Sequence, residues 1–298
     1  MMRVAILGVG SIGKFHAREF RDAGAEVVAI LEGSEEDAKQ RADMLKEEFE
    51  IEAKVYWDLD SLLEKEELDA VSVCTPWKLH SEQVEKCLNK GLHVFCEKPF
   101  VFDSKDGNFE TAERLVKLAE EKNLKLAVNT QWLSVVPLIK STEELEEFSM
   151  YMEPPERYFS DMMVDVVPHM NSLLIALGGD GKIENIRFGE IDQGLKILFD
   201  YVYDGKTCKA EYVFAAKDTR PRRFEFSVNG KKYVREVDED YKQDLVCGEE
   251  RIAIEDPLKV SVERFVEAVN GEGKVLTSWD EILKNIELQD FIVGSYKN

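Results

Sequence analysis

No stretch of this sequence stays apolar for the ~20 residues that a membrane-crossing helix needs, so no membrane partner is expected. Basic side chains are scarce: 39 lysines and arginines stand against 60 aspartates and glutamates, a formal net charge of -21. Such a field repels phosphate. It excludes nucleic acid and anionic lipid as main partners but leaves room for one anionic cofactor in a local site. Cysteine is sparse and unpatterned. The five residues Cys74, Cys87, Cys96, Cys208 and Cys247 form no CxxC pair, which favours a reducing compartment over a disulfide framework. A strand-like run begins almost at Met1 and leaves no room for a targeting segment, so the expected location is the cytoplasm. Histidine is rarer still. Four histidines without close pairing give no metal signature, and no metal is expected.

What is present is a globular composition. Hydrophobic residues make up 44% and charged residues 33% of 298, enough for two packed domains. In the first half, apolar runs alternate with helical spacing. Strands are predicted at Arg3–Leu7, Glu26–Leu31, Ala53–Tyr56, Ala70–Cys74, Leu92–Cys96 and Lys125–Asn129. Helices are predicted between them at 12–23, from the N-cap Ser34 to about Phe49, at 79–89 and at 108–122. This rhythm implies a doubly wound parallel sheet, with near-continuous apolar strands such as Ala70–Cys74 buried on both faces.

Near residue 130 the rhythm changes. A helix is expected over about 164–177, followed by strand-like runs at 183–191, 195–203, 208–216, 223–228 and 232–237. Asp204-Gly205 and Asn229-Gly230 separate such runs and are hairpin signals. Helices at 258–269 and 278–296 close the pattern. The expected fold is α/β: an N-terminal Rossmann domain over 1–129, then an α+β domain over 130–298 with a large, mostly antiparallel open sheet, the final helix packing back on the first domain.

Gly8-Val9-Gly10-Ser11-Ile12-Gly13 is GxGxxG, with a strand before it and a helix after. Gly8 permits the tight turn, Gly10 the approach of a pyrophosphate, and Gly13 close packing of helix on strand. Ser11 and Ile12 lie at the helix N-terminus, where free N–H groups receive phosphate. Glu32 ends the second strand at the spacing of a ribose-binding acid. With Gly33 and Ser34 following and no arginine beside it, NAD is expected over NADP. Thr75, Pro76 and His80 follow the fourth strand, and Glu97, Lys98 and Pro99 end the fifth. All should lie on the carboxyl edge of the sheet, where open α/β folds bind ligands. His16 could approach the cofactor or simply pack. His80 could begin a helix beside the nicotinamide end or act in capping. His93, inside its strand, reads as structural, and 148–151 and Trp279 read as core.

GVGSIG with His16 after it, Glu32, DAVSVCTPWKLH, GLHVFCEKPF and DVVPH occur in order, and together they resemble the glucose-fructose oxidoreductase / inositol dehydrogenase / rhizopine catabolism (Gfo/Idh/MocA) family. The later hairpins and the closing SWDEILKNIELQDFIVGS are similar to that family's second domain. The resemblance implies NAD(P)-dependent transfer of a hydride between nicotinamide and a hydroxyl or carbonyl of a sugar, polyol or related small molecule. It also implies a homo-oligomer, dimer or tetramer, formed through the second sheet. By the same resemblance Lys98 contacts nicotinamide and substrate, and Asp165 and His169, one helical turn apart, supply further catalytic groups. An imidazole with an ordinary pKa of ~6.5 suits a general base. Asp165 could orient it, and Lys98 could stabilise a developing alkoxide.

The chain also departs from the family pattern. Where many members carry an arginine after the sixth strand, this chain has Gln131-Trp132, taken here as substrate-binding positions. Ser172 stands where an acid often follows the histidine. These changes predict a less polar or smaller substrate than a typical sugar, or a degenerate site. A non-catalytic dinucleotide sensor and a reductase of a less polar carbonyl or imine therefore stay open as alternatives.

Overall fold

The computed structural model describes residues 1–139, 144–155 and 158–297. The chain divides into two compact units, one of residues Met1–Gln131 with Leu258–Leu283, the other of Trp132–Pro257 with Lys284–Asn298.

The first unit runs β1 (Arg3–Leu7), α1 (Gly13–Asp22), β2 (Glu26–Leu31), α2 (Glu35–Phe49), β3 (Lys54–Tyr56), α3 (Leu59–Lys65), β4 (Ala70–Val73), α4 (His80–Asn89), β5 (His93–Cys96), α5 (Asn108–Glu121) and β6 (Leu126–Val128). Its strands form one six-stranded sheet in the order β3-β2-β1-β4-β5-β6, every pair parallel. This is the doubly wound order, so the β1, β2, β4, β5 and β6 tips meet on one edge. The central strands are buried on both faces, as their unbroken apolar runs require. Ser34 caps α2 by accepting the Asp37 amide at 3.1 Å. The short α3, opened by an Asp58 cap accepting from Ser61, was not anticipated. Its seven residues hold too few apolar positions to show a period.

The second unit carries β7 (Glu147–Met152), α6 (Phe159–Gly178), β8 (Gly181–Ile191), β9 (Gly194–Tyr203), β10 (Lys206–Ala215), β11 (Phe224–Val228), β12 (Lys231–Val237), β13 (Gln243–Cys247) and β14 (Glu250–Ile254). These eight strands form one open sheet in the order β14-β13-β12-β11-β7-β10-β9-β8. All its pairs are antiparallel except β7 with β10. The two expected hairpins are present. Asp204 and Gly205, and Asn229 and Gly230, all have positive φ, from 46° to 77°, as a two-residue hairpin with right-handed strand twist demands. One face is apolar at alternate positions: Leu195, Ile197, Phe199 and Tyr201 on β9, Ala210, Tyr212 and Phe214 on β10, Phe224 and Phe226 on β11. Helix α6 packs on β7, β9 and β10. The other face carries ion pairs, Lys196 with Glu211 at 2.8 Å and Lys209 with Asp200 at 2.7 Å. β7, β13 and β14 were not anticipated as strands. β7 lies in sequence before α6, outside the run of hairpins, and finds its place by parallel pairing with β10.

α7 (Pro257–Val269) and α8 (Trp279–Lys297) follow. The sequence pattern places the second domain over 130–298 with the final helix packing back on the first, whereas 258–283, which hold α7 and only the start of α8, group with the first unit. The reason is packing. Val262 and Phe265 of α7 are fully buried in the first unit's core. The Phe265 ring stands 6.0 Å from Phe20 and 5.3 Å from Phe95. Thr277 adds a hydroxyl donated to the Val128 carbonyl at 3.0 Å. Truncating such a buried ring leaves a void. Phe265→Ala should therefore cost roughly 3–5 kcal/mol, measured as a lowered urea midpoint at unchanged slope. A loss below about 1 kcal/mol would show that α7 is not part of this core.

Candidate active site

The first cluster stands on the first unit's sheet edge. After β1 the chain turns at Gly8, with φ +87°. A Cβ there would lie 2.8 Å from the Thr75 nitrogen, so only glycine fits. A Cβ on Gly13 would overlap the Gly8 carbonyl oxygen, whereas one on Gly10 would meet nothing within 4 Å. The loop is thus packed tightly beneath and open above. α1 starts at Gly13 with no side-chain cap and no acid in its first turn, and Ser11 before it is exposed. That leaves the positive end of the helix dipole to an anion. Half-buried Glu32 directly follows β2, and its Oε1 accepts the Val9 backbone N–H, which ties the acid to the glycine loop. Among the described residues no group of three or more His, Cys, Asp or Glu could hold a metal ion. The donor set fits a dinucleotide: amides for a pyrophosphate and a carboxylate for ribose hydroxyls.

Thr75 follows β4 and donates its hydroxyl to Gln83 Oε1 at 2.6 Å. Pro76 after it is exposed. His80 opens α4 in a buried position. Its Nδ1 lies 2.8 Å from the Pro99 carbonyl oxygen and its Nε2 2.8 Å from that of Thr75. Burial pushes this imidazole's pKa down, while the two carbonyls pull against that direction. His80 thus fastens the chain after β4 to the chain after β5. His93 accepts the Lys125 amide at 2.8 Å, the structural role expected of it.

At the end of β5, Glu97 is buried and Lys98 half-buried. Glu97 Oε1 lies 2.8 Å from His16 Nε2 and accepts Asn129 Nδ2 at 2.6 Å. Its Oε2 accepts the Lys98 backbone N–H at 3.2 Å. His16 Nδ1 lies 2.8 Å from Ser72 Oγ. Burial opposes charge on His16, but Cys74 and Glu97 outweigh it and raise the imidazole to about 10. Burial likewise opposes charge on Glu97. The bonds and charge of His16, with Lys98 and Asn129, hold it down at about 2. Local pattern does not show this pair: in the sequence His16 reads equally as a cofactor neighbour or a packing residue, and Glu97 as a cofactor residue. A signal was present. Ser72 is the one polar residue within the apolar run Ala70–Cys74, and a polar group in a doubly buried strand needs a partner.

The second unit holds the other named residues. Asp165, half-buried, and His169, buried, lie one turn apart on α6. Between them Pro168 removes an N–H from the helix ladder. The Val164 carbonyl it would have served accepts Gln289 Nε2 instead, at 3.5 Å. Pro168's own carbonyl accepts Asn285 Nδ2 at 2.7 Å. Ser172 donates to the His169 carbonyl at 2.8 Å. Gln131 is the last residue before the break between units and Trp132 the first after it. Trp132 is buried and stacked on Phe224, ring centroids 3.6 Å apart, with the Arg235 guanidinium 5.2 Å from its centroid. Arg235 had not been singled out. It restores a cation beside the position where an arginine was absent, but from β12.

Residues 2–130 match an oxidoreductase family with an NAD-binding Rossmann fold. The matching model is that of the Gfo/Idh/MocA family, and it spans the parallel-sheet segment of the chain. Among Gfo/Idh/MocA-like relatives, a UDP-N-acetylglucosamine 3-dehydrogenase of Acidithiobacillus ferrooxidans is 32% identical over 127 residues, 43% of this chain and 36% of that protein. A myo-inositol 2-dehydrogenase of Thermotoga maritima is 35% identical over 105 residues, 35% of this chain and 30% of that protein. The chain thus spans about a third of the length of these curated relatives. A solved structure of the Acidithiobacillus ferrooxidans dehydrogenase superposes with a TM-score of 0.75 at 20% identity, covering 99% of this chain and 97% of that one, which establishes a shared fold over both units. Among the described residues, no helix is long and apolar enough to cross a membrane.

The buried pair has a pH signature. A raised folded pKa on His16 stabilises the protein fully below the unfolded 6.5, and that share is lost as pH rises through about 10. A depressed Glu97 stabilises fully above 4.5, and that share is lost as pH falls through about 2. The stability gap between wild type and a His16→Gln/Glu97→Gln variant should therefore peak between about pH 4.5 and 6.5 and narrow on either side. Thermal unfolding across pH measures it. A gap that does not vary with pH would show that the two groups are not charged together.

Proposed function

We propose that the protein is an NAD-dependent dehydrogenase that moves a hydride between nicotinamide and a hydroxyl or carbonyl of a sugar, polyol or related small molecule, with Lys98, Asp165 and His169 as its catalytic residues. The observation that carries this reading is the first unit's sheet edge. There a glycine loop open above Gly10, the Glu32 carboxylate and the Glu97-Lys98 strand tip stand together. The names of the relatives, dehydrogenases of a nucleotide sugar and of inositol, supply the substrate class.

When bound, the nicotinamide supplies the hydride acceptor or donor. The loop amides and the α1 N-terminus hold the pyrophosphate. Glu32 accepts hydrogen bonds from ribose hydroxyls and repels a 2'-phosphate, the basis for NAD over NADP. In the oxidative direction the substrate hydroxyl loses its proton to His169 as the carbon loses its hydride. Asp165, on the same helix face, stabilises the imidazolium that results. The Lys98 ammonium stabilises negative charge developing on the reacting oxygen. Thr75, Pro76 and His80 shape the nicotinamide end, and Gln131 and Trp132 bind substrate. Trp132, wedged between Phe224 and Arg235, offers a rigid stacked surface with a cation behind it. A cytoplasmic homo-oligomer joined through the outer face of the second sheet completes the reading.

The test is a panel of polyols, free sugars and nucleotide sugars with NAD, followed by absorbance of the reduced cofactor. Lys98→Ala and His169→Ala should each lower kcat/KM by roughly 10²–10⁴-fold, with the dissociation constant for NAD changed by less than about threefold. Binding of NAD without turnover of any compound would favour the dinucleotide sensor instead. Glu32→Ala should cut the preference for NAD over NADP by roughly tenfold or more, and an unchanged ratio would remove Glu32 from the ribose site.

A further inference from the structure

None of the proposed steps uses the buried Glu97 carboxylate of the first unit. The Glu97 carboxylate receives His16 and Asn129 on one oxygen and the Lys98 amide on the other. His16 in turn is anchored to Ser72. Four segments of the fold converge here: α1 supplies His16, β4 Ser72, the end of β5 Glu97 and the chain after β6 Asn129. His16 has no exposed surface, and its ring lies 5.4 Å from that of Phe95. Stability alone does not account for such a pair, because an apolar pair of similar volume often serves a core as well or better. What the pair adds is direction. The Glu97 amide donates to the Val73 carbonyl at 2.8 Å, so the strand ladder extends one residue past β5. Along an extended chain successive side chains leave on opposite faces. A carboxylate anchored inward at 97 therefore turns the side chain at 98 away from the core. It is also a carboxylate already occupied, beside the lysine that the reaction needs.

We propose that His16 and Glu97 are positioning residues for Lys98: the imidazole holds the carboxylate inward, the carboxylate holds the Lys98 amide, and the lysine is kept aimed along the open sheet edge instead of folding back onto its neighbour. The proposal rests on the dehydrogenase reading only for what Lys98 is aimed at. Without His16, the Glu97 carboxylate loses its cationic partner and turns to the adjacent ammonium.

The experiment measures the rate at which Lys98 is acetylated by acetic anhydride, read by mass spectrometry of its peptide, with exposed Lys39 and Lys65 as internal standards. Neither cofactor nor substrate is present. His16→Phe should slow labelling of Lys98 by roughly three- to tenfold relative to those standards. His16→Phe/Glu97→Gln, which removes the carboxylate that captures the amine, should return the rate to within about twofold of wild type. A merely structural role for His16 gives no such rescue. An unchanged rate in the folded single variant, or a double variant no closer to wild type than the single one, overturns the proposal. Thermal unfolding checks the fold. If phenylalanine is not tolerated, His16→Gln and His16→Gln/Glu97→Gln are compared in the same way. Coupled labelling in a protein that turns over nothing removes the dehydrogenase reading and keeps this one. Turnover with uncoupled labelling does the reverse.

Discussion

A buried carboxylate and a buried imidazole 2.8 Å apart set the terms for the first unit. Either charge alone at that depth would cost several kcal/mol. Together they are tolerated only because every remaining valence is met: Ser72 on the far side of the ring, Asn129 and the Lys98 amide on the carboxylate. That requirement ties the first helix to the fourth, fifth and sixth strands. It makes the sheet edge a defined surface, where the glycine loop, Glu32 and the lysine have fixed mutual positions. The doubly wound order brings the strand tips together, and the ion pair determines what the fifth tip presents.

The second unit solves a different version of the same accounting. A proline inside a buried helix frees a carbonyl that must be answered. Gln289 and Asn285 reach α6 from α8, and Tyr212 and Asn171 continue the polar chain toward the sheet with a 3.1 Å bond. The helix that carries Asp165 and His169 is therefore held by side chains as well as by apolar packing. Ser172, whose place an acid often takes in the family, is engaged locally with the His169 carbonyl.

The period-2 and period-3.6 patterns and the glycine and hairpin signals made the parallel sheet, the open antiparallel sheet and the glycine loop legible in the sequence. Residues that answer one another across long separations were not legible. Ser72 and Asn129 are polar residues within apolar segments, and their partners, His16 and Glu97, lie 56 and 32 positions away from them. Trp132 was visible as a departure, but the residues around it, Phe224 and Arg235, come from strands about a hundred residues later, and no local pattern names them. Likewise α7 shows a clear amphipathic period, but its apolar stripe does not say which core it enters. Periodicity reports that a face is buried and is silent about what buries it.

The return of α7 to the first unit also bears on how the chain comes into being. A core that includes Phe265 cannot close before residue 265 has been made. On the ribosome the Rossmann strands emerge first, and the whole second sheet follows before the helix that completes the earlier core. For most of synthesis Phe20 and Phe95 therefore wait with one flank uncovered, and neither unit can finish until its share of the two closing helices has been made.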